Sequence, residues 1–367
     1  MSNKPIKIKR NTSVSGKTRQ RKMMAKKVFG ITLVLGGLLA IGYLGAPAVI
    51  ELITSVSRPK PPIVQPDPQP NPTEMPTIPE EEQEIPSVVQ KEGRVYSYID
   101  RQSLMTEDGI MQTAKMLSEK GVNYAVVTLK DENGNVHYDT KTQIGMAAKS
   151  DVILDIEKIA QIFAENDIDL VADVYAFKDK TTPNINRDTA VKYIGTDMNW
   201  WDNSKEFGGK PWANPASEIM QNYLYDIVTE LSGLGVKNFI ISAVQLPTGF
   251  SLDKRDFGVS ESQLQAQLQG FINTMKLKAE AGGGKAYFAF DIESVNGGDY
   301  SKYMVAPYRL GADNLVLVGN GAGFKDVDLN ALKVKIQDNG HAEKIVFWNT
   351  EENLNENSAE DCGYFVK

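Results

Sequence analysis

Six short apolar runs, five of them closing on polar residues, limit what this chain can fold into. They are VYSYID (95–100), YAVVTLKDE (124–132), LVADVYAFKD (170–179), FIISAVQLP (239–247), YFAFDIES (287–294) and IVFWNTEE (345–352). Near-continuous apolar runs of this length read as strands covered on both faces, which is the environment of a parallel sheet. Strands that finish in Asp, Glu or Lys are the pattern of a (β/α) barrel, whose active face lies at the C-terminal ends of its strands. FIISAVQLP is the exception. It carries no charge, only Ser242 and Gln245.

Between the runs the apolar spacing turns helical, at 105–120, 151–166, 214–235 and 260–281. Asp151 is expected to open the second of these helices. Asn214, with Pro215 behind it, is expected to cap the third. Strand and helix alternate in units of 30–50 residues, which implies parallel strands with right-handed crossovers. Strands are expected near 94–100, 123–130, 169–177, 238–246, 286–293, 313–319 and 344–349, with 363–366 as a weak eighth. The expected fold is α/β, a TIM-type (β/α) barrel that is irregular or reduced in its last third. An open doubly wound sheet is the alternative. No glycine-rich phosphate loop follows the first strand, so nothing supports a nucleotide.

The rest of the chain reads as a tether. Residues 1–27 hold ten Lys/Arg and no Asp or Glu, while the remainder sums to −17. Residues 28–50 carry no charge. At about 1.5 Å per residue they reach roughly 34 Å, enough for a hydrocarbon core of about 30 Å. The basic flank places the N-terminus in the cytoplasm and the main domain outside. A cleaved signal peptide ending at Ala46-Pro47-Ala48 is the competing expectation. Ten of the 17 prolines fall within 55–92, a composition that favours an extended stalk over a packed core. The expected organisation is a cytoplasmic tail (1–27), a signal-anchor helix (28–54), a proline-rich stalk (55–92) and a barrel domain (93–367). The acidic main domain argues against a nucleic-acid partner. One cysteine and two distant histidines point to no metal and no cofactor.

Several blocks resemble a largely uncharacterised family of bacterial TIM-barrel proteins described as glycoside hydrolases. VVTLKDENGNVHYDT (126–140) is similar to its second strand, with the pattern V-K-D-x-x-G-x-V-x-Y. IDLVADVYAFKDK (168–180) is similar to its third, which ends F-K-D. Residues 212–247 resemble W-x-D-P, helix, then D-Y-I-R-F-P. FAFDIES and IVFWNTEENL resemble the fifth and last strands. The resemblance covers roughly 93–352 and implies a barrel that acts on or binds cell-envelope glycans, polysaccharide or peptidoglycan. It also marks departures. Ser242-Ala243-Val244-Gln245 stands where the family has D-Y-I-R, and Asn214 where it has Asp. The lost fourth-strand carboxylate makes a catalytically inactive, glycan-binding or protein-interaction barrel the alternative.

Glycoside hydrolysis generally needs two carboxylates. Asp291 and Glu293, two apart on one expected strand, would share a face. They are the candidate catalytic pair, with Asp173 assisting. Lys130, matching V-K-D, is the expected partner of Asp173 or Asp291. Trp200, Trp201 and Trp212 flank a polar loop and are candidates for stacking on sugar, with Gln245 and Lys130 as further substrate contacts. A structural ion network inside the barrel and Trp packing within the loop are the competing expectations. Asp131, Asp179 and Asp100 are expected to cap turns or helices, and Trp348 to sit in the core.

Overall fold

The computed structural model describes residues 94–355, 358 and 360–367. The expected tail, anchor helix and stalk lie outside these residues. No helix among the described residues is long and apolar enough to cross a membrane.

Eight parallel strands form the barrel: β1 (Val95–Tyr98), β2 (Tyr124–Lys130), β3 (Asp169–Tyr175), β4 (Asn238–Ser242), β5 (Lys285–Asp291), β6 (Asn314–Gly319), β7 (Lys344–Asn349) and β8 (Gly363–Val366). Each pairs with the next in sequence. β1 closes the ring, pairing with β2 through Tyr96↔Tyr124 and with β8 through Val95↔Tyr364. Closure excludes the open doubly wound sheet and makes the eighth strand a full member.

Alternation along the strands divides the apolar residues into two cores. Tyr96, Val126, Val171, Ile240, Tyr287, Ala289, Val316, Val346 and Phe365 fill the lumen. Their sequence neighbours, such as Val127 and Leu129 or Phe239 and Ile241, pack outward against the helices. The longer helices are α1 (Glu107–Glu119), α2 (Ile156–Ala164), α3 (Glu218–Gly233), α4 (Glu261–Ala281), α5 (Ile292–Gly297) and α6 (Leu329–Asn339). The long α4 starts at a capping box, in which Ser260 Oγ takes the Gln263 N–H and the Gln263 side chain returns to the Ser260 N–H. The last third is irregular. α5 is under two turns, and among the described residues no helix joins β7 to β8.

Two helix starts differ from expectation. Residues 149–154 form a strand paired with 136–138, so Asp155, not Asp151, caps α2 and accepts the Lys158 N–H. Ser217, not Asn214, caps α3, and Asn214 Oδ1 instead accepts the Ala216 N–H in the turn before it. In both cases a second capping side chain stands three or four residues on, and the pleated or turned backbone at the first takes it out of the helix.

A long connection between β3 and α3 carries its own small core of Val191, Trp200 and Trp212. It is held to the β4–α4 loop by the antiparallel pair Lys192–Tyr193 with Arg255–Asp256.

Candidate functional site

A cavity of about 520 Å³ opens at the C-terminal ends of the strands. Strand alternation aims Tyr98, Tyr175, Ser242, Asp291, Val318 and Trp348 at it from six of the eight strands. One wall is aromatic. Trp348 stacks on Phe365 at 4.4 Å and on Tyr98 at 5.8 Å between ring centroids.

The opposite wall is polar and centres on Asp291. Its carboxylate accepts from Lys302 Nζ at 2.7 Å and from the Tyr303 hydroxyl at 2.9 Å. Lys302 comes from the β5–β6 connection, and its carbonyl accepts the Leu246 N–H at 2.7 Å, which locks that connection to the end of the uncharged fourth run. Tyr303 is buried, and burial, then the Asp291 charge, pushes its hydroxyl pKa well above the usual value. At neutral pH it is a hydrogen-bond donor. Asp291 and Lys302 are 39% and 35% exposed, so their pairing contributes little stability and serves to fix both charges in the wall. Among the described residues, no second Asp or Glu lines the cavity.

Asp173 lies beneath the floor. It is buried and accepts from Thr128 Oγ1 at 2.7 Å and Ser242 Oγ at 2.6 Å. Burial pushes its pKa up to about 6, and the two hydroxyls and Arg101 only partly oppose that. The Tyr98 hydroxyl is 2.9 Å from Thr128 Oγ1. Thr128 spends its proton on Asp173, so Tyr98 donates, and a hydroxyl chain runs from the cavity wall to the buried carboxyl. Just past the end of β4, Ala243 lines the cavity with φ +55°, a left-handed conformation that costs a non-glycine residue about 1–2 kcal/mol.

Glu293 does not join Asp291. The strand ends at Asp291 and Ile292 begins α5, so the two-residue alternation stops and Glu293 turns out to solvent beside Gly323. The expected same-face pair is therefore not formed. Lys130 is not a ligand contact either. It is fully buried, ion-paired with Asp179 at 2.8 Å and donating to the Tyr175 carbonyl at 2.8 Å. A register irregularity between Thr128 and Lys130 leaves Thr128 opposite Asp173 but sets Lys130 opposite outward-facing Val174, away from both expected partners.

Asp179 also accepts the Thr181 and Thr182 N–H groups and the Thr182 hydroxyl, as a cap does. Gly134 presses against it, leaving no room for a Cβ. Asp131 closes its own turn. Burial opposes its charge, but hydrogen bonds from His137, Asn135 and Asn133 hold the carboxyl well below the usual range. Asp100 accepts the Gln102 N–H at the start of a single 3-10 turn.

The three tryptophans separate. Trp200 is fully buried and donates to the Ser251 carbonyl at 3.1 Å, so it packs the loop and is not a stacking surface. Trp212 lines the mouth cavity, with its Nε1 on Asp202 at 3.1 Å. Trp201 lines a different cleft. Gln245 lines the mouth. Trp348, expected in the core, packs against the lumen core and also forms cavity wall. Its alternation with lumen-facing Val346 was the signal for that. Lys302 and Tyr303 had no signal, because they lie in a connection between strands.

Residues 97–292 match the model of a family described as "Putative glycosyl hydrolase domain". The match spans β1 to β5, and the IVFWNTEENL block lies beyond it. No curated protein matches the chain. Solved structures similar to it include a cycloisomaltooligosaccharide glucanotransferase of Paenibacillus sp. (TM-score 0.50, 11% identity, covering 70% of this chain and 38% of that one). Others are an exo-β-N-acetylglucosaminidase of Vibrio harveyi (0.46, 11%, 71% and 41%) and a hypothetical protein of Ruminiclostridium thermocellum (0.45, 18%, 52% and 96%). This chain spans about two fifths of the length of the first two. At these identities the likeness concerns the barrel fold alone.

Proposed function

The chain belongs to the family described as the putative glycosyl hydrolase domain, and from that premise we propose that its barrel mouth binds a cell-envelope glycan without cleaving it by the two-carboxylate mechanism. The observation that carries this is the state of Asp291. It is the carboxylate of the mouth, and Lys302 and Tyr303 already engage it. Hydrolysis with two carboxylates requires partners about 5–5.5 Å apart for retention or about 6.5–9.5 Å apart for inversion, on either side of the scissile bond. Glu293 faces solvent and Asp173 lies under the floor. The aromatic wall of Tyr98 and Trp348 suits the apolar face of a sugar ring, and Asp291, Lys302, Gln245 and Ser242 suit its hydroxyls. The charge-free segment 28–50, the basic flank before it and the proline-rich stretch after it support anchoring by one helix, with the barrel held outside the cytoplasm.

One observation favours a second reading, a working hydrolase. Asp173, with its pKa near 6, holds a proton in mild acid one hydroxyl below the cavity. Two measurements on the full-length protein separate the readings, co-sedimentation with insoluble peptidoglycan and release of reducing ends from it. The expected result is retention that falls about tenfold with Trp348→Ala, a loss of roughly 1.4 kcal/mol, and no reducing ends above a protein-free control. Reducing ends that rise with protein concentration and vanish in Asp291→Asn would establish the hydrolase.

A further inference from the structure

A second cleft, of about 410 Å³, lies on the β3–α3 connection, outside the barrel. Trp201 and Tyr193 give it two aromatic rings, Asn199 and Asn203 give it amides, and Arg187 and Lys205 give it charge. No carboxylate lines it. Arg187 donates to the Asp197 carbonyl, and neither cation forms an ion pair among the described residues. Glu206 holds the Ser204 hydroxyl but is not part of the wall. The wall thus carries two cations and no carboxylate, on a domain whose formal charge is negative.

The cleft is braced. Trp200, the residue before Trp201, is pinned in the small core, and Trp201 pairs across to Pro211. Asp202 accepts the Lys210 N–H and Trp212 Nε1, while its carbonyl takes the Phe250 N–H. The backbone at Gly249 crosses so close to the Asp202 carbonyl, at φ +126°, that only glycine fits. One small frame therefore carries Trp212 into the mouth and Trp201 into the cleft.

We propose that this cleft is a second saccharide site, which takes an acidic sugar unit with its ring on Trp201 and its anionic group on Arg187 and Lys205. A planar guanidinium matches a carboxylate with two donors, and the aromatic face covers the ring's C–H surface. The proposal rests on the mouth being a glycan site. It gives the polymer a second hold, and a two-point hold raises affinity for long chains over short ones.

The test is calorimetric titration of the full-length protein with two probes, hexagalacturonate as the acidic oligomer and chitohexaose as the neutral one. Trp201→Ala is expected to weaken hexagalacturonate about tenfold. Arg187→Gln is expected to weaken it similarly and to flatten its salt dependence. Both variants should leave chitohexaose binding and the melting temperature unchanged. Acidic-probe binding that both variants leave intact, while Trp348→Ala abolishes it, would overturn the second site and leave the mouth site standing. Failure of the wild-type protein to bind either probe would overturn both.

Discussion

Asp173 is a carboxyl group held by two hydroxyl donors in a site closed to water, and burial outweighs the donors. That has a measurable consequence. The folded pKa of about 6 exceeds the reference value of 3.8, so between those values the folded state binds more protons than the unfolded one. The contribution of this group is fully present below pH 3.8 and is lost as pH rises through about 6. Two pKa units correspond to about 3 kcal/mol. Asp173→Asn removes the titration and lets the side chain both donate and accept among the hydroxyls. In urea unfolding it should be more stable than wild type at pH 7 by about 1–3 kcal/mol, with the difference shrinking towards pH 4. Parallel profiles would mean that Asp173 does not titrate in this range. Sequence placed Asp173 in a two-side-covered strand, where a charge must be compensated. It could not show that Thr128 and Ser242 do so and that Lys130 does not, because the ladder irregularity that turns Lys130 outward leaves no pattern of its own.

At the scale of elements, the ends of strands decide the site. β2 is tied at its mouth end to the β3–α3 connection by the buried pair Lys130–Asp179. Removing the lysine leaves a buried carboxylate without its counter-charge, so Lys130→Ala should cost about 3–5 kcal/mol in denaturant unfolding, and adding Asp179→Leu should not rescue it, because the Thr181 and Thr182 donors would then lose their acceptor. A loss below 1 kcal/mol would show that the Thr181 and Thr182 groups hold Asp179 alone. β5 shows why the expected catalytic pair failed. Asp291 and Glu293 share a face only if the strand runs past 291, and it ends there. Periodicity located the first seven barrel strands, because burial on both faces leaves apolar runs, and left 363–366 as a weak eighth, since that strand is only four residues long and buried on one face. It misplaced the starts of α2 and α3, where Asp151 competes with Asp155 and Asn214 with Ser217. In each case local backbone geometry, not residue type, chose the cap.

At the scale of the molecule, a barrel closed by β1 against β8 gathers six strand ends around one cavity, and a separate braced loop adds a cleft. Aromatic and polar groups are plentiful at the mouth, whereas its carboxylate is committed to Lys302 and Tyr303. That division is the basis for proposing binding over cleavage. The most direct test incubates stoichiometric full-length protein with soluble glycan oligomers of defined length, then measures the bound fraction and the length distribution together. Wild type is expected to retain the oligomers, Trp348→Ala to release them, and both to return them at their original length. Oligomers shortened by wild type, and left whole by Asp291→Asn, would contradict it.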